Sequence, residues 1–484
     1  MKSDKKKLVG KNFGNQLINQ LYKGKKVVSV TIVGSFNKTY NVDKVGDLDI
    51  VIICRKITGK LIKNSKEKIK KVISSYPIIK RNLKINDTFG PIKYDAIKYF
   101  TVHLMIYDIH GHKQHVINSP FTCLDWQRSE WFKGKKLQEI FPVENIYLRD
   151  FFEARRGSYE YLNDLKNNNM SIRKYEIKKK KFFLKKVNYK INTKNRGEFA
   201  FHIINNLINN YNKFYTNKNI LISPTNFKML FFKITNNNKS LWEKFSELKK
   251  QKNNLTEKYS RKLISLAGKF LHYFNVFLKN ESKKYKQITF LRHAKTSIND
   301  GTFLGQNRNP EILIRKLNSK PKKRYDLIYT SPLKRSISTA KLFNGKKIVI
   351  SKCLNEISYG KAEGMSFNKY KIGFPKKVKM WENGVDVKFP QGENTQDVKK
   401  RMFKFIKSEV YKKLNKKKNS RILVITHNVF LRCLVGYFLN IKIKNYFKIN
   451  INHLQKFEFL LKNNRIYPNF KRKDFIELLA GLYD

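Results

Sequence analysis

Cysteine, acidic side chains and long apolar runs are all scarce in this chain, and each shortage removes a class of protein. The 484 residues hold four cysteines, Cys54, Cys123, Cys353 and Cys433, widely spaced and without a Cys-x-x-Cys pair. That spacing offers no disulfide framework and fits buried free thiols in a reducing compartment, so a cytoplasmic location is expected. No stretch approaches the roughly 18 apolar residues needed to cross a bilayer. The lysine-rich start, Met1 to Lys7, leads into no apolar signal segment, and no membrane partner is expected. Acidic residues number 36 against 103 lysines and arginines, a formal net charge of +67. Such an imbalance points toward nucleic acid or another polyanion. The excess is mostly lysine, however, and asparagine, isoleucine, phenylalanine and tyrosine are abundant beside it. These are the residues of A/T-rich codons, so a biased genome explains the charge without a selected partner. Nucleic acid is therefore the second reading of the charge.

At this length two or three domains are expected. The chemistry concentrates in Leu291-Arg292-His293-Ala294-Lys295-Thr296-Ser297-Ile298-Asn299, which follows the apolar run Ile288 to Leu291, a buried strand by pattern. Polar side chains at the carboxyl ends of strands in an α/β sheet sit where ligands bind. Histidine can serve as a nucleophile, and arginine presents a fixed fork of donors to phosphate oxygens. Three further stretches repeat the arrangement. Asp326 to Ile328 leads into Tyr329-Thr330-Ser331-Pro332-Leu333-Lys334-Arg335, where Ser-Pro suits a helix start and Arg335 projects from the first turn. Leu354 to Gly364 is a glycine-punctuated loop carrying Glu356 and Glu363. Ile422 to Ile425 is a strand that ends in Thr426-His427-Asn428.

The order and spacing of these four motifs, across about two hundred residues, closely resemble the histidine phosphatase superfamily in its phosphoglycerate-mutase-like branch. The resemblance implies a phosphohistidine nucleophile at His293. Arg292, Arg335 and His427 would surround the transferred phosphoryl group, Asn299 would contact the phosphate, and Glu356 would protonate the leaving oxygen and later activate water. Pro390 to Asn394, with Asp397 and Arg401, also fits the branch. Two positions depart from it: Ala294 replaces the usual glycine, and Thr302 stands where the loop is often basic. No cofactor is implied for this part, and its substrate would be a phosphorylated small molecule.

Near the other end, Val27 to Val33 reads as a strand ending in Gly34-Ser35, and Gly46 to Ile53 as a second strand with Asp47 and Asp49 at its start. Alternate residues of a strand share a face, so the two carboxylates repel unless a cation sits between them. Mg²⁺ held by carboxylates and substrate phosphates answers that repulsion. The Gly-Ser turn followed by Asp-x-Asp resembles the polymerase-beta-like nucleotidyltransferase superfamily over residues 14–125. It implies that Gly34 and Ser35 hold a nucleoside triphosphate and that Asp47 and Asp49 bind Mg²⁺. A third carboxylate is expected on a later strand, yet His103 falls at that place in Phe100 to Asp108, with Asp95 and Asp108 as nearby substitutes. Asp108 to His115 gathers three histidines around Gly111 and reads as a hairpin turn with exposed imidazoles in preference to a zinc site.

Residues 148–166, 171–186, 198–215, 223–234 and 256–279 have apolar positions at helical spacing, and Glu281 to Lys286 reads as a charged linker. Arg155, Arg156 and Lys178 to Lys181 read as solvated charge in preference to an acceptor contact. The expected fold is multidomain α/β: a nucleotidyltransferase-like α/β domain over 1–146, an all-helical domain over 147–284 and a three-layer α/β histidine phosphatase-like domain over 285–484. The expected function is bifunctional, joining phosphomonoester hydrolysis to Mg²⁺-dependent nucleotidyl transfer. The alternatives are a phosphatase or phosphomutase with a non-catalytic nucleotide-binding module, and a basic nucleic-acid-binding protein.

Overall fold

The structure is a computed structural model that describes residues 2–483 except 25, 37–46, 78, 80, 90, 91, 93, 95–97, 179, 180, 217, 219, 252–255, 299, 318–323 and 413–420. The chain separates into two compact units, Met1–Leu278 and Lys279–Asp484.

The first unit is built on a five-stranded sheet. Its strands are β1 (Val27–Val33), β2 (Asp47–Cys54), β3 (Asn82–Asn86), β4 (Tyr99–Asp108) and β5 (Phe132–Gly134), in the order β3-β4-β2-β1-β5. β2, β3 and β4 run parallel, while β1 is antiparallel to both of its neighbours. Alternation along β2 sends Leu48, Ile50 and Ile52 into a core with Phe13, Leu17 and Leu21 of helix Lys2–Tyr22 and Ile69 and Val72 of helix Gly59–Ser74. The opposite face buries Val51 and Ile53 against Tyr107, Leu137 and Ile140. Asp47 and Asp49 lie at the upstream end of that second face and are half-buried. Apolar packing thus stops where the carboxylates begin.

The histidine-rich stretch departs from the expected hairpin turn. Residues Ile109–Asn118 form a helix, started by the Asp108 side chain accepting from the Gly111 N–H. His112 is fully buried, and His115 stacks on Tyr107 and packs against Trp126. The capping aspartate and the apolar partners, which lie outside the local pattern, decide the outcome.

The central region is not all-helical. Helices Leu148–Lys166, Thr193–Thr216, Pro224–Ile234, Lys239–Lys250 and Glu257–Lys283 form it, but residues 171–186 fall in a hairpin of β6 (Asn169–Lys178) and β7 (Lys181–Lys190). Met170 and Ile172 are buried among its described side chains, and their period of two competes with the helical spacing read over the same lysine-rich run. Residues 179 and 180 of the lysine run lie outside the described residues, as does Asp95. The expected linker at Glu281 is helical through Lys283, and Glu281 is buried in ion pairs with Lys284 and Lys462.

The second unit holds a six-stranded sheet of order β10-β9-β11-β8-β12-β13. These strands are β8 (Lys286–Arg292), β9 (Leu327–Thr330), β10 (Ile348–Ile350), β11 (Arg421–Thr426), β12 (Lys456–Lys462) and β13 (Arg465–Pro468). β10, β9, β11 and β8 are parallel, with Arg292 level with Thr426 and Ile425 level with Thr330. Leu291, Ile328, Leu423 and Ile425 pack on one face with Ala340 of helix Lys334–Lys341. On the other face Phe290 meets Phe430 of helix Asn428–Phe438. The alternation of apolar side chains along β8 therefore produces three layers, and the parallel register brings three strand ends to one edge.

Burial makes the fold of the first unit sensitive to acid. Loss of hydration holds His112 down to about 4 and His115 down to about 3, the latter aided by His112 and Arg173. Both values lie below the unfolded one, so the stability these rings contribute is present above the ordinary histidine range and is lost as pH falls through it. Each ring should remove on the order of 1 kcal/mol per pH unit between about pH 6.5 and 4. Denaturant unfolding followed through Trp126 should show that loss in the native chain and a shallower one in His115→Phe. Equal slopes in the two proteins would contradict it.

Candidate active site

The site forms where β8, β9 and β11 end together. His293 follows β8, and its N–H donates to Thr426 O at the end of β11 (3.0 Å). Ser331 follows β9, and His427 follows β11 and precedes helix Asn428–Phe438. The rings of His293 and His427 stand 5.0 Å apart, centroid to centroid. Ala294, in place of the family's usual glycine, is fully buried, and its N–H donates to Thr339 Oγ1 (3.0 Å), so the methyl is accommodated.

Hydrogen bonds assign the nucleophilic nitrogen. His293 Nδ1 is 2.7 Å from Ala294 O, and a carbonyl only accepts, so Nδ1 carries the proton and Nε2 keeps the lone pair. Burial first, then Arg335 and Arg292, hold His293 well below the usual histidine value, and burial and Arg335 do the same to His427. Both imidazoles are therefore neutral at physiological pH, the form a nucleophile requires. His427 Nε2 meets Ser331 Oγ at 2.7 Å, and its Nδ1 is buried without a hydrogen-bond partner.

Arg335, on the first turn of helix Lys334–Lys341, is completely buried. It donates to Gly305 O (2.7 Å) and Arg308 O (3.2 Å), which fixes its plane while Nε is left without a partner. Arg292 donates to Ile451 O, and its Nε too lacks a partner. Two guanidinium groups, Arg335 fully buried and Arg292 half-buried, each with an unanswered N–H beside a neutral imidazole pair, form a receptor for a compact anion.

Glu356 occupies part of that receptor. Its carboxylate accepts from Asn428 N–H (3.0 Å), Val429 N–H (3.1 Å) and its own neighbour Ile357 N–H (2.9 Å). Those first two donors are the half-buried N-terminus of helix Asn428–Phe438, where anions bind by geometry and dipole. The loop is held from behind by Arg401, which donates to Cys353 O, Asn355 O and Glu356 O and pairs with Glu393. Glu363 accepts from the N–H groups of Gly305, Asn307 and Arg308, so it shapes the loop that holds Arg335. Thr302 Oγ1 accepts from Arg308 on that same loop. Asn299 lies outside the described residues.

Two residues here escape sequence reasoning. His453 donates from Nδ1 to His293 O (3.0 Å), and its ring is 5.3 Å from that of His293. Burial and Arg292 bring it down to about 4. Arg432, anchored on Ile449 O, interacts with Glu356, Tyr359 and Arg292. Its signal was present: it is the one charged side chain of an otherwise apolar stretch, Val429 to Val435. His453 offered none, because its position depends on a loop returning to β8.

In the first unit, Gly34 and Ser35 follow β1 directly, with Gly34 at φ 80°. A Cβ on Gly34 would stand 2.3 Å from Asp49 Oδ2, so only glycine lets the turn close on that carboxylate. Asp47, Asp49, Gly34 and His103 are thereby brought together, since Asp49 pairs with Val33 on one side and His103 on the other. Oxygen donors from two carboxylates beside a glycine turn fit Mg²⁺ and a phosphate chain. His103 stands where the third carboxylate was sought, and Asp108 is instead the cap of the following helix.

Residues 288–466 match the Histidine phosphatase superfamily (branch 1), and residues 1–287 lie outside that match. The fructose-2,6-bisphosphatase of Saccharomyces cerevisiae is 31% identical over 115 residues, 24% of this chain and 24% of its own length. The human 6-phosphofructo-2-kinase/fructose-2,6-bisphosphatase 1 is 31% identical over 114 residues, 23% of this chain and 22% of its own. The chain thus spans about a quarter of the length of these curated relatives. Among solved structures, the alpha-ribazole phosphatase from Shigella flexneri aligns with a TM-score of 0.32 and 17% identity, over 38% of this chain and 94% of that one. The match begins at β8 and runs through both histidines into β13, and the C-terminal unit is a histidine phosphatase-like domain.

Proposed function

We propose that the C-terminal unit hydrolyses phosphomonoesters of small molecules through a phosphohistidine at His293, and that the N-terminal sheet uses Mg²⁺ and a nucleoside triphosphate for nucleotidyl transfer. The observation that carries the first part is the unprotonated Nε2 of His293 among buried arginines. The Nε2 lone pair attacks phosphorus as the bond to the leaving oxygen breaks, and Glu356 supplies that oxygen with a proton. Water, giving its proton back to Glu356, then attacks phosphorus and the P–N bond breaks. Arg292, Arg335 and His427 face the charge on the equatorial oxygens. Arg432 adds a cation beyond those a single phosphoryl group needs, which favours phosphorylated metabolites with a second anionic group. The curated relatives named for fructose 2,6-bisphosphate are in keeping with that class.

The seat's three N–H donors suit a carboxylate, so Glu356 serves as an acid only after it leaves that seat and takes a proton from solvent, to which the proton returns when the carboxylate reseats. The incoming phosphoryl group takes the Asn428 and Val429 N–H groups and turns the carboxyl toward the leaving oxygen. For the N-terminal unit, Asp47 and Asp49 hold the metal, while Gly34 and Ser35 approach the phosphates. Mg²⁺, if bound there, would supply positive charge against the phosphates, and the chain's own groups would orient the nucleotide. A phosphatase with a non-catalytic nucleotide module differs in consuming no nucleotide.

Purified full chain should release phosphate from bisphosphorylated sugars, and His293→Ala should lower turnover by at least about 1000-fold. A chelator should leave this activity intact. Because His293 is neutral well below the ordinary histidine value, kcat/KM should not fall as pH drops through about 6.5. A steep loss centred there would contradict the assignment.

Removing the seated negative charge should favour an incoming anion. Glu356→Gln should therefore bind inorganic phosphate about tenfold more tightly by calorimetry while turning over more slowly. Weaker phosphate binding in that variant would sink the displacement step.

Asp49→Asn should abolish Mg²⁺-dependent nucleotide binding and leave phosphatase turnover unchanged. If the native chain binds no nucleotide at millimolar concentration, the transferase reading fails.

A further inference from the structure

One polar row crosses three strands of the N-terminal sheet: Asn86 on β3 is level with His103 on β4, which is level with Asp49 on β2. Asn86 is oriented by what it accepts. Its Oδ1 takes hydrogen bonds from Thr88 N–H (3.1 Å) and Thr88 Oγ1 (2.7 Å), so its amide NH₂ faces the other way. That NH₂ stands 2.9 Å from His103 Nδ1 and donates to it. Turning the amide over would set an NH₂ against the Thr88 N–H, two donors facing each other. His103 Nδ1 is consequently an acceptor, and in the neutral ring the proton resides on Nε2. His103 is 5% exposed, and its Nε2 has no hydrogen-bond partner. That atom lies 3.7 Å from Asp47 Oδ2, beyond hydrogen-bond distance yet aimed at the carboxylate pair.

We infer that Asn86 and His103 make the Asp47/Asp49 site an oxygen-only cation site, selective for Mg²⁺ against zinc and other nitrogen-seeking metals. This rests on the reading that the two aspartates bind a metal with a nucleotide. An imidazole beside two carboxylates would ordinarily complete a strong transition-metal site, since nitrogen ligands suit zinc and its neighbours. Here the Thr88–Asn86 relay denies the metal a lone pair and presents an N–H. That N–H draws Asp47 by charge and dipole, making His103 a positioning residue and not a ligand. A cation bound by two carboxylates alone completes its shell with water and phosphate oxygens, the habit of Mg²⁺. Asn86 is the residue that decides, because an aspartate there would accept from Nδ1–H, move the lone pair to Nε2 and build a carboxylate–histidine–metal triad.

The test combines a spectrum and a titration on the full chain. Nitrogen-15 NMR of imidazole-labelled protein, with His103→Gln to assign the signal, should find the proton on Nε2 in the native chain and on Nδ1 in Asn86→Asp. Calorimetry with Zn²⁺ alone should give at least about tenfold tighter binding in Asn86→Asp than in the native chain, the size expected of an added ligand with its outer-shell partner. Mg²⁺ binding in the presence of ATP should stay within about twofold, well under the 1.4 kcal/mol that tenfold represents. His103→Gln, whose amide keeps an N–H for Asp47 but has no ring nitrogen to ligate zinc, should leave native Zn²⁺ binding unchanged and cancel the gain in a double variant with Asn86→Asp. A lone pair on Nε2 in the native chain, or native Zn²⁺ binding that His103→Gln weakens, overturns the inference. If the proton is on Nε2 but no Mg²⁺ binds with ATP, the metal–nucleotide reading falls instead. Thermal melts of each variant separate these results from misfolding.

Discussion

The second unit depends on seating two guanidinium groups, Arg335 fully buried and Arg292 half-buried, at the ends of parallel strands. A buried charge without a partner costs several kcal/mol. Arg335 meets that cost partly through Gly305 O and Arg308 O, and Arg292 through Ile451 O, yet each retains an unanswered N–H. The loops around the site serve these contacts. Glu363 gathers the N–H groups of residues 305, 307 and 308 so that two of the carbonyls point at Arg335. Arg401 binds the carbonyls of 353, 355 and 356 and so sets Glu356 against the helix that follows His427. What remains is positive potential with a neutral imidazole in it, and a phosphoryl group answers both.

The same logic explains why Glu356 is seated where it is. The N-terminus of helix Asn428–Phe438 opens beside the arginines, and a carboxylate is the one anion the chain itself can place there. The seat stabilises the ligand-free domain and is the natural place for the substrate's charge. In the proposed reaction, binding and acid catalysis are coupled, because the incoming substrate frees the group that delivers a proton to its leaving oxygen. In the first unit the relation is reversed. Its carboxylates are fixed by the sheet register and by Gly34.

The residues of the phosphatase constellation could be read from the sequence because each follows its strand immediately. A run such as Ile288 to Leu291 or Ile422 to Ile425 announces a buried strand, and the first polar residues after it must emerge at the strand end. Parallel pairing then brings His293, Ser331 and His427 to one edge. Asp47 and Asp49 were legible for a similar reason, since alternation places both on one face. Arg432 was legible only as a lone charge in an apolar helix, and His453 was not legible, because it arrives on a distant loop. The row from Asn86 through His103 to Asp49 depends on strand register, which no local pattern encodes. Over residues 171–186 the abundance of lysine removed the contrast between faces, and the helix expected there is a hairpin. His112 and His115 were read as exposed because their stretch is polar, although the helix turns both inward.

The central claim is that a phosphoryl group transfers to Nε2 of His293. Acid-free rapid quench of the native chain with a turned-over phosphomonoester, followed by mass-spectrometric mapping and phosphorus NMR of the labelled peptide, reads that atom directly. The account predicts a single alkali-stable phosphohistidine at His293, linked through Nε2 and absent before substrate is added. Phosphate found on His427, on His453 or through Nδ1 of His293 would contradict it.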